Sequence, residues 1–472
     1  MTYNRLVPLI VAVALFMENM DSTVIATSLP AIAAAIGTNP LALKLAVTSY
    51  LLSLAVFIPA SGWIADRFGA RTVFRAAIAV FVLGSIGCAV SDSLTDFVIA
   101  RIGQGVGGAM MTPVGRLVLV RTIERRALIS AMVWVTVPAM VGPVVGPPVG
   151  GFITTYFSWH WIFLINVPIG LVGIVLVTRY IENIKAEAHD PFDFRGMVLA
   201  GLAMGGLAFG FSVLGLEYLP WPIVAALLGG GTVAALAYVA HARRTPAPIL
   251  DLSLLRVPTF RASVLGGFLF RVGVGAMPFL LPLLLQLGFH RTPFQSGLIT
   301  FSSALGAMTM KAGIATILKR LGFRTVLTVN AVVSAAMLAA CAAFTPATPI
   351  PVIIAILLVG GFFRSLQFTS INTIAYADVP PRLISRATSL TAAAQQLSLS
   401  VGVAIGALAV ELVVRCNQTP TIGAADFPPA FLLVAAISAL SAPLFWKLPP
   451  EAGAELADRM PAPTEASDQR LG

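Results

Sequence analysis

The sequence predicts an all-α polytopic membrane protein with fourteen transmembrane helices. Of its 472 residues, 58% are apolar and 11% are charged, and the mean hydropathy is +0.91. Soluble domains are about half apolar and about a quarter charged, so this composition excludes a soluble enzyme, a nucleic-acid-binding domain and a disordered chain. Two further observations support the prediction: a series of apolar stretches of membrane length, and a strong bias of basic residues to one side.

Fourteen apolar stretches are each long enough to cross a bilayer as a helix. Turn and cap residues separate them: Ser93–Asp96 is a capping box that opens the fourth span, and Pro346–Pro351 interrupts a loop. The tail after Pro449 is rich in Pro, Ala and charge, which predicts a disordered cytoplasmic segment. The predicted spans are 6–28, 45–64, 73–90, 94–115, 128–152, 161–179, 196–215, 221–240, 262–285, 295–316, 325–344, 350–372, 386–410 and 428–446.

Basic residues fall mainly on one side of the predicted membrane. With the N-terminus inside, most of the 30 Lys and Arg residues lie in inner segments, Lys311 among them. Because loops rich in Lys and Arg stay in the cytoplasm, we expect an inner (cytoplasmic) membrane protein with both termini cytoplasmic. This bias also accounts for the net charge of +10 without any nucleic-acid partner. The outer basic residues are Lys44, Arg291 and Arg415, and those within spans are Arg101, Arg271 and Arg364.

Two short segments of the first half recur in the second half. Arg67–Val73 matches Arg320–Val326, and Arg101–Gln104 matches Arg364–Gln367. Both matches are displaced by eight predicted spans. Internal repeats are typical of secondary transporters, whose substrate site lies between the repeats. The predicted domains are an N-terminal six-span bundle (1–180), two inserted linker spans (181–260), a C-terminal six-span bundle (261–448) and the tail (449–472).

Two motifs in the first half combine glycine with charge or proline. The first lies between spans 2 and 3, where glycine permits a tight turn and charged side chains can pair with neighbouring spans; it is a candidate gating loop. The second lies in span 5, where small residues four apart permit close helix packing and prolines bend the helix. The loop residues are Gly62, Asp66, Arg67, Gly69 and Arg71, and the span 5 residues are Gly142, Pro143, Gly146, Pro147, Gly150 and Gly151.

Together with three other segments, these motifs resemble those of the major facilitator superfamily over essentially the whole chain. More specifically, the chain resembles the fourteen-span drug/proton antiporters of the QacA/EmrB type, and among those the MdtD-like multidrug proteins. The resemblance implies the major facilitator fold, with two six-helix bundles plus two inserted spans, and identifies the span 5 motif as an antiporter motif. It also implies proton-coupled efflux of amphipathic, cationic small molecules by alternating access. The three other segments are Met20–Pro30, Arg101–Gly108 and Ser158–Gly170.

The second half departs from the family pattern at two places. Lys319 stands where Asp66 stands in the first half, so the charge network of this loop cannot be equivalent. Span 13 has only Gly402 and Gly406 in place of the Gly-Pro motif.

Ionisable residues within the spans are the candidates for proton coupling and substrate binding, because their burial in a membrane is costly. Glu18 and Asp21 are three residues apart and share a helix face, and Arg101 lies at a depth similar to that of Asp21. We expect Asp21, or else Glu18, to carry the proton and bind the cation, with Arg101 promoting proton release. A permanent Asp21–Arg101 pair is the structural alternative, and a structural partner is expected for Arg364. The remaining candidates are Arg271, Gln395 and Gln396, and hydrogen bonding between helices is the expected role of the two glutamines.

Other functions stay open at this stage. The main alternative is a proton-coupled exporter of a specific metabolite, amino acid or sugar. A membrane-embedded enzyme would need clustered His, Asp or Glu at a membrane face, and a channel is disfavoured by the repeat. The three Cys and four His are scattered, so neither a metal site nor a cofactor is expected. The expected partners are a small-molecule substrate, protons and the lipid bilayer, and both a monomer and a periplasmic adaptor are compatible with the sequence.

Overall fold

The computed structural model describes residues 3–123, 125–183, 185, 192–214, 219–380, 383–418 and 421–457. Within these ranges the chain is helical without β-strands, and fourteen long helices coincide with the fourteen predicted spans. They are α1 (Tyr3–Val24), α2 (Lys44–Phe68), α3 (Ala70–Ala89), α4 (Leu94–Thr122), α5 (Arg125–Tyr156), α6 (Asn166–Tyr180), α7 (Phe194–Val213), α8 (Trp221–Ala242), α9 (Gly267–Leu283), α10 (Pro293–Met310), α11 (Phe323–Ala340), α12 (Ile350–Ile374), α13 (Ile384–Asn417) and α14 (Pro428–Ala439).

The all-α membrane architecture predicted from the sequence is confirmed. Over the described residues, 11 helical segments are long and apolar enough to cross a membrane, or 12 if α10 and the short helix Ile314–Leu321, bent by 61°, form one span. Helices α4 and α5 are not among these segments. The number of fourteen spans therefore stays a prediction.

The long helices pack in two groups with matching neighbours. In the first half α4 packs against α2 and α3, and α5 packs against α1; in the second half α12 packs against α10 and α11, and α13 packs against α9. These pairs are related by eight positions in helix order, which is the displacement of the repeated sequence segments. Contacts of α5 with α10 and of α2 with α13 join the two groups. The boundaries of the predicted domains remain a prediction.

The repeated segments Arg67–Val73 and Arg320–Val326 form the same turn. Gly69 ends α2 with a φ of 93°, and Gly322 ends the short helix before α11 with a φ of 76°. Residues with a Cβ are strained at such positive φ values, whereas glycine is not. The repeat therefore encodes a helix reversal at both positions.

Glycines form close helix seams at equivalent places in the two halves. A Cβ at Gly142, Gly146 or Gly150 of α5 would press against α1, and a Cβ at Gly402 or Gly406 of α13 would press against α9. Small residues at these positions allow the helix axes to approach closely. The second half therefore keeps the seam of the span 5 motif without its prolines.

The two linker helices pack against each other and against the junction of the two halves. Helix α7 contacts α8, α2 and α13. Asp193 caps α7 by accepting a 2.9 Å hydrogen bond from the Gly196 N–H, and it also accepts one of 3.1 Å from the Ile249 N–H. His241 Nε2 of α8 lies 2.7 Å from Asp193 Oδ1. These hydrogen bonds tie the start of α7 to α8 and to the segment that follows α8.

Candidate functional site

A cavity of about 530 Å³ lies between the two groups of helices, and a compartment of about 430 Å³ shares part of its lining. Helices α1, α2, α4 and α5 supply one wall, and helices α9, α10, α12 and α13 supply the other. The walls are mainly apolar, which suits a small molecule with an apolar body. Within the described residues no group of three or more His, Cys, Asp and Glu side chains could hold a metal. The charged and amide side chains of the main cavity are Glu18, Asn19, Arg101, Lys311, Arg364, Gln395 and Gln396.

Glu18 is the carboxylate that faces this cavity. It lies on α1, and Thr112 of α4 donates a 2.8 Å hydrogen bond to its Oε2. Across the described part of the chain, this is the one hydrogen bond of the Glu18 carboxylate, and Glu18 has no ion pair. The carboxylate is thus held in place on one side and open to the cavity on the other.

Asp21 lies one turn further along α1 but is enclosed by protein. Arg101 Nη1 donates to its Oδ2 at 2.9 Å, while Gln104 Nε2 and Asn166 Nδ2 donate to its Oδ1 at 2.9 Å and 2.7 Å. Ser85 accepts a further hydrogen bond of 2.8 Å from Gln104. Asp21 has no exposed surface and does not line the cavity. The contact of Asp21 with Arg101 agrees with their expected depth, and the role of Asp21 in coupling stays a prediction.

Arg101 and Tyr50 lie between Asp21 and the cavity. The Arg101 guanidinium carbon is 4.2 Å from the centroid of the Tyr50 ring, and both residues contribute to the cavity wall. The buried Tyr50 hydroxyl has no hydrogen-bond partner within the described residues. Arg101 thus contacts Asp21 on one side and contributes to the cavity wall on the other.

Two cationic side chains of the second half lie on the opposite wall. Lys311 follows the last residue of α10, and its Nζ donates a 3.1 Å hydrogen bond to the Thr369 hydroxyl. Arg364, on α12, makes neither a hydrogen bond nor an ion pair with the described residues, so its expected structural partner is not among them. Sequence reasoning assigns Lys311 to an inner loop. The signal that identifies it as a wall residue is its position inside the predicted span 295–316.

The other second-half candidates divide between the wall and the interior. Arg271 is fully buried behind the wall, where its Nη2 donates a 2.6 Å hydrogen bond to Asn372 Oδ1. Its guanidinium carbon lies 5.2 Å from the ring centroid of Phe368, which itself lines the cavity. Gln395 and Gln396 also line the cavity, and their side-chain amides form no hydrogen bonds within the described part of the chain.

The two halves meet tightly at the end that the charge pattern assigns to the outside. Gly151 of α5 lies against Pro293 and Phe294 at the start of α10, where a Cβ would overlap their backbone. The Phe294 N–H donates a 3.1 Å hydrogen bond to the Thr155 hydroxyl of α5. The last glycine of the span 5 motif therefore allows close contact between the two halves, whereas the other glycines of the motif allow close packing within the first half.

A buried ion pair joins α2 and α13 at the same end. Lys44 Nζ lies 3.2 Å from Glu411 Oε2 and donates a 3.3 Å hydrogen bond to the Leu214 carbonyl after α7. Arg415 Nη2 lies 3.3 Å from Glu411 Oε1. Two of the three basic residues predicted on the outer side therefore pair with one carboxylate.

The candidate gating loop is docked on the chain that follows α6. A Cβ at Gly69 would overlap the side chain of Asn183, whose Oδ1 accepts a 3.2 Å hydrogen bond from the Thr72 N–H. Arg71 donates a 3.4 Å hydrogen bond to the Ile181 carbonyl. No residue of this loop lines the main cavity. Its predicted control of the conformational cycle is not tested by this geometry.

Comparisons with known proteins agree with these features. The sequence profile of the Major Facilitator Superfamily matches residues 11–403 and 263–466. The "Putative multidrug resistance protein MdtD" of Salmonella heidelberg (strain SL476) is 38% identical over 448 residues, which cover 93% of this chain and 94% of that protein. These matches confirm the predicted resemblance.

Solved structures show the same fold at low sequence identity. The crystal structure of a D-xylose-proton symporter has a TM-score of 0.66 at 15% identity, covering 96% of this chain and 99% of that one. A POT family transporter in complex with a thioalcohol-conjugated peptide has a TM-score of 0.69 at 13% identity, covering 93% and 94% of the two chains. From its sequence relatives and its fold, this multi-pass membrane protein belongs to the major facilitator superfamily.

Proposed function

We propose that this chain is a proton-coupled efflux antiporter that exports amphipathic small molecules with a cationic group across the inner membrane. The observation that carries the proposal is the large, mainly apolar cavity between the two halves, into which the carboxylate of Glu18 projects. An apolar wall accepts ligands of varied shape, and one carboxylate can hold either a cation or a proton. The relationship to proteins named as putative multidrug resistance proteins supports the same activity.

In this proposal Glu18 exchanges the proton for the substrate, and Asp21 has a supporting role. The sequence favours Asp21, but its oxygens already accept three hydrogen bonds and have no exposed surface. Glu18 accepts a single hydrogen bond from Thr112 and borders the cavity. A bound cation would stabilise the ionised Glu18, and a proton from the other side of the membrane would displace that cation. Asp21 would fix Arg101 at the edge of the cavity.

Transport would proceed by alternating access, with the bundles of residues 1–180 and 261–448 rocking about the cavity. The contacts of α5 with α10 and of α2 with α13 support an outer end that is closed in this conformation. Linker helices α7 and α8 would follow the motion along the α2–α13 seam. Both termini are placed in the cytoplasm in this proposal, because the basic loops define that side.

The test is uphill transport of a lipophilic cation into proteoliposomes under an imposed pH gradient. Glu18→Gln keeps the shape of the side chain and removes its charge, so gradient-driven accumulation should vanish while the protein still folds. Asp21→Asn should retain slower, gradient-driven transport, and Asp92→Asn, an exposed carboxylate outside the cavity, is the matched control.

Three outcomes separate the alternatives. Loss of coupling in Asp21→Asn with retention in Glu18→Gln would return the proton to Asp21. Retained coupling in both variants and in the double variant would refute a proton carrier on α1. Saturable export of one hydrophilic solute, with no transport of cations, would favour an exporter of a specific metabolite, amino acid or sugar.

A further inference from the structure

The cavity has more free positive than negative charge. Arg101 is already neutralised by Asp21 at 2.9 Å. Among the described residues that line the cavity, Glu18 is the one carboxylate. The lining also contains the cations Lys311 and Arg364, and neither has an ion pair with the described residues. The larger part of the cavity charge is thus available to an acidic ligand, and it lies in the second half.

The internal repeat places Arg364 where the first half has an arginine with a carboxylate partner. Arg101 and Arg364 occupy matching places in the repeated segments, and in the first half Asp21 of α1 pairs with the guanidinium. The matching helix of the second half is α9, and the helical segment that contains it, Pro258–Gly288, has no Asp or Glu. Gln367 does not pair with Arg364 either, because it bonds the Leu327 carbonyl and Asn330.

An unpaired guanidinium in a mainly apolar cavity is an unfavourable arrangement unless an anion completes it. Desolvation penalises a charge that lacks a partner, and Arg binds carboxylates and phosphates through two parallel hydrogen bonds. The Phe368 ring lies one turn from Arg364 on α12, on the same wall. Arg364, Lys311 and Phe368 together present two cations beside an aromatic surface, which suits an acidic group attached to a ring.

We infer that the substrates of this transporter carry an acidic group, a carboxylate or a phosphate-type anion, that pairs with Arg364 and Lys311. With the cationic group assigned to Glu18, the preferred class is zwitterionic amphiphiles. This refinement rests on the proposed function for its transport consequences, but the anion site itself is defined by binding alone.

The experiment compares two dyes that differ by one methyl group. Rhodamine 110 carries a free carboxylate, and rhodamine 123 is its methyl ester; the cationic ring system is common to both. Binding to the purified protein is measured by fluorescence polarisation in phosphatidylcholine nanodiscs. The full chain should bind the acid at least tenfold more tightly than the ester, and Arg364→Gln should abolish this preference by weakening binding of the acid.

Controls separate the anion site from a general loss of charge or of folding. Arg320→Gln removes an exposed basic residue outside the cavity and should keep the preference. Lys311→Met should reduce the preference at least threefold. Equal or weaker binding of the acid by the full chain, or an unchanged preference in Arg364→Gln, would overturn the inference.

Two further readouts assign the source of the anion and separate the two proposals. If nanodiscs with phosphatidylglycerol suppress the preference that phosphatidylcholine preserves, the cations belong to a lipid headgroup and the substrate inference is wrong. Binding with the acid preference but without pH-driven transport would refute the proposed antiport and leave the anion site intact. Transport of the ester but not of the acid would refute the anion site and leave the proposed antiport intact.

Discussion

The buried ion pair between Lys44 and Glu411 should hold closed the end of the transporter that the charge pattern assigns to the outside. It connects α2 to α13, one helix from each half, and its Lys44 side chain has no exposed surface, against 11% for Glu411. Opening this end would separate the helices and bring both charges into water. The balance between closed and open states should therefore depend on whether each charge has a partner in the closed state.

The two single variants should differ in the size of their effect on this balance, because Glu411 has a second partner in Arg415 whereas Lys44 pairs with no other carboxylate of the described residues. Glu411→Gln leaves the Lys44 ammonium buried without a counter-charge, and loss of one partner of a buried pair costs about 3–5 kcal/mol. Since 1.4 kcal/mol is a factor of ten in an equilibrium, the open state should gain at least about 100-fold. Lys44→Met leaves Glu411 with Arg415, so its cost should be about 1 kcal/mol. The double variant has no unpaired buried charge and should approach the parent protein.

Distance measurements by double electron–electron resonance can test this order of effects among the variants. One spin label is attached to the exposed Cys416 of α13 and the other to an Ala35→Cys substitution at an exposed position before α2, in a background with Cys88→Ala and Cys341→Ala. Glu411→Gln should populate longer distances, Lys44→Met should do so weakly, and the double variant should lose that population. A double variant shifted as far as Glu411→Gln would refute the reasoning.

Three further predictions concern the loops and the N-terminal cap of α7. Gly69→Ala should slow transport of all substrates, because an alanine at this positive φ and against Asn183 would be strained by about 1–3 kcal/mol. Gly62→Ala should be neutral, because a Cβ at Gly62 would lie in open space. Equal transport rates in the two variants would contradict this. Reporter fusions between α2 and α3 should be cytoplasmic and those between α9 and α10 periplasmic, and the opposite readout at both would invert the topology. Partial burial raises the pKa of Asp193, but hydrogen bonds from backbone N–H groups and from His241 outweigh it and lower the pKa. Asp193→Ala should therefore cost about 1 kcal/mol of stability at pH 7, with the melting-temperature gap narrowing as pH falls through and below about 4; a gap that widens on acidification would exclude this role.

The sequence predicts the helices and the repeated turn well, but it predicts the lining of the cavity poorly. Apolar stretches reveal helices because length and hydropathy are local properties. Glu18 and Asp21 share one face of α1 by spacing alone, yet Arg101, Gln104 and Asn166 enclose only Asp21. Which side chains cover a given face depends on helices distant in the sequence, and this information is absent from the periodicity of α1.

The two halves differ where the fold imposes no constraint. The helix reversals at Gly69 and Gly322 and the glycine seams occur in both halves, because a positive φ or a close approach of helices is needed wherever the same backbone is built. The arginine is also repeated, as Arg101 and Arg364, but its partner Asp21 occurs only in the first half. Arg364 is retained without this partner on the cavity wall, which supports the anion site inferred above. The asymmetry of charge on a symmetric backbone is therefore the feature that separates a proton-handling half from a substrate-anchoring half in the proposed mechanism.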